Sequence, residues 1–153
     1  MHDDKLSRAV NLAMFAHRNQ LDKSGTPYTE HLLRVMATVP ENCRVVAMLH
    51  DLIEDQGDDF SYGFIREQIP DITEDEIRAI ELLTYDPEKD THAEYVARIA
   101  KDRTKAGIIA HFVKVADVRD NMRPERRIPG SEGESMMKRY NKSLEILFNK
   151  DGS

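Results

Sequence analysis

The sequence predicts an all-α fold, and three observations lead to that prediction. Apolar residues recur at spacings of three and four along most of the chain, strand-like alternation is nearly absent, and helix-capping signals precede several apolar runs. A chain of 153 residues, 40% of them hydrophobic, is long enough for one domain with a buried core and too short for two. We therefore expect residues 1–153 to form a single compact bundle of seven or eight helices.

The first three helices are predicted from apolar periodicity and from the loops between them. One is expected to run to about Gln20, where a segment containing glycine and proline follows at positions 22–27. A second begins near Tyr28. A third begins near Asn42 and continues to Ile53, and it is apolar on most sides. That pattern is typical of a helix at the centre of a domain.

The later helices are predicted mainly from capping boxes, in which a serine or threonine precedes a glutamate by three residues. Such sequences begin at Thr73, Thr91 and Ser131, and each precedes an apolar-periodic run. A long helix is also expected from about Thr104 to Asp117. These elements complete the predicted bundle.

Composition and charge exclude several classes of protein. A formal net charge of −6 argues against broad electrostatic binding to nucleic acid. The chain has no long apolar segment for a membrane helix, and its start lacks the pattern of a secretion signal. Cys43 is the one cysteine, which permits no intrachain disulfide and no cysteine-based metal cluster. We expect a cytoplasmic protein that binds neither nucleic acid nor membranes, and the sequence identifies no protein partner.

The most informative segment is 48–55, MLHDLIED, which places one imidazole and three carboxylates close together. On a helix, Glu54 follows His50 by four residues and Asp55 follows Asp51 by four, so like charges share one face and repel each other. A bound divalent cation would reverse that effect, because it stabilises ionised carboxylates and binds an imidazole nitrogen. For this segment alone, a solvent-exposed acidic helix end is the alternative interpretation.

Two further residues are candidate metal ligands. His31 ends the segment SGTPYTEH at 24–31, and Asp117 lies within KVADVRDNM at 114–122. Together with the His-Asp pair they offer two nitrogen and two oxygen donors, a combination that suits a divalent ion. The histidines on other apolar helices are interpreted as core residues: His17, His92 and His111.

Three blocks in this order, at 20–31, 49–55 and 114–122, resemble the HD superfamily of metal-dependent phosphohydrolases. The closer resemblance is to the hydrolase domain of RelA/SpoT-type enzymes and to the stand-alone small alarmone hydrolases, and it spans nearly the whole chain. It implies an HD-domain helical bundle with one divalent ion, typically Mn²⁺. The residues at matching positions are metal ligands (His31, His50, Asp51, Asp117), catalytic groups (Glu54, Asp55) and substrate contacts (Lys23, Asn121, Arg123), with Arg139 a weaker candidate for substrate contact.

The activity that the resemblance implies is removal of the 3′-pyrophosphate from guanosine 3′,5′-bis(diphosphate), ppGpp. The residue chemistry independently supports phosphate ester hydrolysis, since a mixed nitrogen and oxygen site leaves positions for water and a phosphate oxygen. Glu54 or Asp55 could take the proton of that water, a role worth about 10²–10⁴-fold in rate. The sequence does not distinguish between the two.

Two acidic residues depart from the pattern of the related hydrolases. Those enzymes usually carry an arginine that packs on the guanine base where this chain has Asp22, and a carboxylate cannot form that cation–π stack. Asp120 stands where a histidine is common, and Val118 where an arginine is common. Arg18 is a candidate replacement for the stacking group. Two alternatives therefore stay open: a phosphohydrolase for another nucleotide or phosphorylated cofactor, and an inactive binding module that keeps its metal for folding.

Overall fold

The computed structural model describes residues 4–149, and helices make up the architecture of this range. The helix that the sequence predicts from about Asn42 to Ile53 is interrupted once, at His50 and Asp51. Counted as one, the two halves of that helix bring the total within 4–149 to eight, which confirms the predicted all-α bundle. The segments are α1 (Lys5–Ala16), α2 (Tyr28–Thr38), α3 (Arg44–Leu49), α4 (Leu52–Gln56), α5 (Tyr62–Gln68), α6 (Glu74–Leu82), α7 (His92–Lys101), α8 (Lys105–Asn121) and α9 (Gly130–Leu147), with 3₁₀ turns at Glu41–Cys43 and Pro124–Arg126.

Two helices form the centre of the bundle and position the rest. In α3 every residue from Val45 to Leu49 is buried, because α3 packs against α1, α2, α6 and α8. The long helix α8 also contacts α2, α6, α7 and α9. The end of α3 therefore lies beside both α2 and α8, which carry the remaining candidate ligands. Within residues 4–149, none of the helices combines the length and the apolar character needed to cross a membrane.

The first helix is shorter than predicted, since it ends at Ala16 and not near Gln20. The backbone that follows, at 20–28, forms a loop closed by its own hydrogen bonds. The Tyr28 N–H donates to the Gln20 carbonyl at 2.9 Å, and Leu21 and Pro27 form an isolated antiparallel bridge. These contacts close the segment on itself. They also fix where α2 begins.

The prediction of one continuous third helix from near Asn42 to Ile53 is wrong, because the structure has two helices there, α3 and α4. Asp51 has φ −106° and ψ 1°, outside the usual helical range, and this separates α3 from α4. The apolar periodicity continues across the break, so the local sequence gives no sign of it. A further short helix, α5, begins after Ser61, whose hydroxyl accepts the Phe64 N–H at 3.1 Å.

Two of the three predicted capping boxes are present. Thr73 and Thr91 each cap a helix, and in both cases the glutamate three residues later returns a hydrogen bond to the capping residue. The prediction at Ser131 is wrong, because α9 begins one residue earlier and Pro129 occupies the N-cap position. The chain turns there through Gly130, whose φ of 79° lies in the left-handed region that glycine adopts readily.

This difference has a measurable consequence for stability. Thr73→Ala removes the acceptor for the Glu76 N–H, a 3.0 Å hydrogen bond, and should lower the free energy of unfolding by about 1 kcal/mol. Ser131→Ala removes no capping bond and should change it by less than about 0.5 kcal/mol. Urea unfolding of the two variants tests this. Equal losses would contradict the assignment of the caps.

Candidate active site

Four side chains from separate parts of the bundle meet at a candidate metal centre. His31 comes from α2, His50 and Asp51 from the junction of α3 and α4, and Asp117 from α8. One potential ligand atom of each residue lies within 4.8 Å of those of the others, and all four residues are buried. The structure therefore brings together all four residues that the sequence predicted as metal ligands.

The geometry around His50 fits a divalent cation. Its Nδ1 donates to the Ala47 carbonyl at 2.6 Å, so in the neutral ring Nε2 carries the lone pair. That nitrogen lies 3.0 Å from Asp51 Oδ2 and 3.4 Å from Asp117 Oδ1. Nε2 is buried without a hydrogen-bond partner among the described residues. A lone pair that faces two carboxylates is repelled, and a cation bound between them removes the repulsion.

The pKa values of the cluster reflect the same attraction for positive charge. Burial lowers the pKa of His50, but the carboxylates of Asp51 and Asp117 outweigh it and raise that pKa well above its ordinary value. The pKa of His31 is also raised, since its hydrogen bonds to carboxylates overcome the effect of burial. Burial would raise the pKa of Asp117, yet Lys114 and the two histidines hold it well below its usual range. The pocket favours cations over protonated carboxyls.

The break between α3 and α4 is what places Asp51 beside His50. Consecutive side chains on a continuous helix point about 100° apart, whereas here the two ligand atoms are 3.0 Å apart. Tyr28 supports this position, because its hydroxyl donates a short hydrogen bond to Asp51 Oδ2. The same ring packs against His31, with 5.2 Å between ring centroids. Tyr28 thus contacts two of the candidate ligands.

The acidic pair Glu54 and Asp55 lies beside the cluster, in a cavity of about 220 Å³. Glu54 Oε1 accepts the Tyr85 backbone N–H at 2.7 Å, and Asp55 Oδ2 accepts from Gln20 Nε2 at 3.0 Å. Burial and the charge of Asp51 raise the pKa of both carboxyls, that of Glu54 to about 7. Glu54 therefore changes its protonation state near neutral pH.

Several cavity residues were missed by the sequence reasoning. Lys114 Nζ lies 3.2 Å from Asp117 Oδ2 and 5.1 Å from the centroid of the Tyr95 ring. Its spacing of three residues before a ligand on α8 is the signal that could have identified it. His92, interpreted as a core residue, instead lines the cavity, and burial together with Lys114 and Arg139 lowers its pKa to about 4. The other residues missed there are one leucine and three tyrosines: Leu83, Tyr85, Tyr95 and Tyr140.

The predicted substrate contacts lie in different surroundings. Asn121 lines the cavity, and its Nδ2 lies 3.4 Å from Asp117 Oδ1. Lys23 is exposed outside the cavity lining, with Nζ 3.4 Å from Glu132 Oε1 on α9. Arg123 pairs with a neighbouring glutamate at 2.8 Å and lines a separate groove between α2 and α8. The structure therefore brings only Asn121 of these three into the cavity.

Neither Asp22, at the position of the usual stacking arginine, nor Arg18, its candidate replacement, lines the cavity. The side chain of Asp22 is 5% exposed, and its Oδ1 accepts the Thr26 N–H at 2.9 Å while Oδ2 accepts from Arg126 Nε at 3.2 Å. Arg18 lies over the Phe15 ring, 4.1 Å from its centroid, and donates to the Phe15 carbonyl at 2.7 Å. Arg18 is therefore not in place to substitute for the stacking arginine.

This fold is shared with a protein of known structure. A metazoan ortholog of SpoT, which hydrolyses ppGpp and plays a role in starvation responses, superimposes with a TM-score of 0.72 at 20% sequence identity. The alignment covers 97% of this chain and 88% of that protein. No protein-family model and no curated protein sequence matches the chain. Over nearly its whole length, the chain therefore has the fold of a SpoT-type ppGpp hydrolase.

Proposed function

We propose that this chain is a metal-dependent phosphohydrolase that removes the 3′-pyrophosphate of ppGpp. The observation that supports the proposal most is the buried cluster of two histidines and two aspartates at the centre of this fold. A neighbouring carboxyl with a pKa of about 7, that of Glu54, provides an acid–base group beside it. The proposal extends to this chain an activity described for its structural neighbour.

The ligand set is proposed to hold one divalent ion, with Mn²⁺ as the first choice. Such an ion supplies a Lewis acid that lowers the pKa of a water molecule and neutralises charge on a phosphoryl group. Four carboxylates line the cavity against two basic side chains, an excess of two negative charges when the histidines are neutral. A polyanionic substrate would be repelled by that excess, so substrate binding also favours a dication in the site.

Among the protein groups, we assign Glu54 as the general base. Without a bound ion its pKa is raised to about 7 by burial and the charge of Asp51, and a dication held by Asp51 would lower that pKa and keep the carboxylate ready to accept a proton at neutral pH. The Tyr85 N–H holds one carboxylate oxygen, which orients the group. As Glu54 accepts the proton, the water oxygen forms a bond to phosphorus, the bond from phosphorus to the 3′-oxygen breaks, and the 3′-oxygen takes a proton from solvent. The products are GDP and pyrophosphate. Asp55, held by Gln20, is assigned a supporting hydrogen bond.

Basic and amide groups would hold the phosphates. Lys114, Arg139 and Asn121 line the cavity and are proposed to contact the reacting end of the substrate. Lys23 is exposed on the loop that precedes α2 and remains a proposed contact for a phosphate farther out. Arg123 would first have to leave its glutamate partner, so it is the weakest of the proposed contacts.

A second candidate is hydrolysis of another nucleotide or a phosphorylated cofactor by the same residues. The observation that favours it is the position of Asp22, which is paired with Arg126 and cannot stack on a base. A small phosphorylated substrate is proposed in either case, with no nucleic-acid or membrane partner. A cytoplasmic location is also proposed, because the single buried cysteine suits a reducing compartment.

A product-resolved assay separates these functions. Purified protein with Mn²⁺ is expected to convert ppGpp to GDP and pyrophosphate, resolved by anion-exchange chromatography, and to act more slowly on GTP, ATP and nucleoside monophosphates. Hydrolysis of one of those nucleotides without turnover of ppGpp would favour the second candidate. Binding of Mn²⁺ with no turnover of any of them would support the inactive binding module.

A further inference from the structure

Asp120 lies directly behind His31, on the side of the ring that faces away from the cluster. Its Oδ2 is 2.7 Å from His31 Nδ1, while His31 Nε2 lies 3.0 Å from Asp117 Oδ1. Asp120 is only 7% exposed. Asp120 follows Asp117 by three residues on α8, so both carboxylates lie on one face of the helix. One turn of α8 therefore provides a candidate ligand, Asp117, and a contact to a second one, His31.

Two arginines hold Asp120 in this position. Arg34 Nε donates to Oδ1 at 2.7 Å and Arg34 Nη2 donates to Oδ2 at 3.1 Å. Arg126 Nη1 donates to Oδ2 at 3.2 Å. Both carboxylate oxygens are therefore engaged by guanidinium groups in a two-point geometry that restricts rotation of the side chain. The acceptor next to His31 Nδ1 is fixed before any ligand arrives.

Arg126 extends this network to the loop that carries Lys23. Its Nε donates to Asp22 Oδ2 at 3.2 Å, and Asp22 Oδ1 accepts backbone N–H groups within the loop at 2.9 Å. Asp22 and Asp120 are the two acidic departures from the pattern of the related hydrolases. In this chain they are joined by the guanidinium of Arg126, so the two departures form a single structural unit.

The contacts of His31 Nδ1 depend on where the ring carries its proton. Arg126 Nη1 also lies within hydrogen-bonding distance of Nδ1, but it can donate only to a ring that has no proton there. A neutral imidazole that binds a cation through Nε2 keeps its proton on Nδ1 and needs an acceptor for it. Asp120 is that acceptor, whereas Arg126 alone would favour the opposite tautomer.

We propose that Asp120 is the positioning residue for His31: it accepts the Nδ1 proton and thereby directs the Nε2 lone pair at a divalent cation. Arg34 and Arg126 hold Asp120, and Asp22 anchors Arg126. The inference rests on the proposed function only for its metal site, since it concerns cation binding and not the identity of the substrate.

Affinity for Mn²⁺ tests this role directly. In isothermal titrations of EDTA-treated and dialysed protein, Asp120→Ala should raise the Kd for Mn²⁺ by about 10–100-fold. The matched control is Glu76→Gln, which removes a buried carboxylate that is paired with Lys5 at 2.9 Å. Glu76 does not line the cavity, so this substitution should leave the Kd unchanged. Equal Kd values for Asp120→Ala and the wild type would overturn the inference.

A second variant and a second readout guard against a simple loss of folding. Asp120→Leu keeps the approximate size of the side chain and offers no acceptor to His31 Nδ1, and NMR of the diamagnetic Zn²⁺-loaded protein reports the ring nitrogens of His31. The wild type should show a slowly exchanging Nδ1 proton, which Asp120→Leu loses while its backbone amide spectrum is retained. An equally protected proton in the variant would overturn the inference. Failure of the proposed function would appear separately, as intact Mn²⁺ binding without turnover of ppGpp.

Discussion

Replacing His50 with glutamine is expected to reduce pyrophosphate release from ppGpp by about 10³-fold, because loss of the bound ion removes several kcal/mol of transition-state stabilisation. The glutamine amide can still donate to the Ala47 carbonyl, which His50 Nδ1 contacts at 2.6 Å, but it offers no imidazole lone pair to a cation. The bound Mn²⁺ content, measured by elemental analysis after gel filtration, should fall together with the rate.

The matched control for this substitution is His111→Gln. That histidine lies on α8, and its Nε2 donates to the Leu147 carbonyl at 2.7 Å, outside the cavity. The control should retain the metal content and the rate of the wild type. If His50→Gln retained wild-type turnover and metal, the assignment of His50 as a ligand would be wrong.

Glu54→Gln should have an effect of comparable size, a fall of about 10²–10⁴-fold in turnover at neutral pH, because an amide cannot take up the proton of the attacking water. Glutamine keeps an acceptor for the Tyr85 N–H, so the loop that carries Tyr85 should stay in place. The Mn²⁺ affinity should change little, since Glu54 is not one of the four clustered ligands. Asp55→Asn serves as the comparison, and a larger loss there would assign the general base to Asp55 instead.

The same Glu54→Gln substitution should stabilise the EDTA-treated protein at and above neutral pH. The folded pKa of about 7 exceeds the ordinary value of 4.5, so the folded state binds this proton more tightly than the unfolded chain. The associated stability is fully present below pH 4.5 and is lost as the pH rises to about 7. Because the side chain is exposed to solvent in the cavity, the gain should not exceed about 1 kcal/mol.

Scanning calorimetry of the two proteins tests this dependence on pH. The difference in Tm between Glu54→Gln and the wild type should be near zero in acid, grow through neutral pH and then stay constant. Comparing the two proteins cancels the titration of groups that they share. A difference that shrinks as the pH rises would contradict the raised pKa of Glu54.

The four candidate ligands, which the structure brings together, could be named from the sequence because each lies in a local segment with a distinctive composition. His50 and Asp51 lie in a run of charged residues in which repulsion between carboxylates would destabilise an isolated helix. His31 follows a glycine and proline loop, and Asp117 lies in a polar patch on an otherwise apolar helix. The bundle itself was predictable from apolar periodicity and from the caps at Thr73 and Thr91.

The features that could not be predicted depend on tertiary contacts. The interruption at Asp51 has no local signal, and it is accompanied by the hydrogen bond from Tyr28. Lys114, His92 and Tyr140 come from separate helices and share no motif, so only packing shows that they line one cavity. The contact between Asp22 and Arg126 joins residues that are 104 positions apart.

Because the candidate ligands are far apart in the sequence, a bound ion would also affect how long the folded protein resists proteolysis. His31 and Asp117 lie 86 residues apart, so an ion bound by both would cross-link the early and late parts of the chain in the folded state alone. A shortage of metal would then increase the fraction of time in which α2 and α8 separate and expose their backbones to proteases. Metal supply would control how much of this protein persists as well as how fast each copy works.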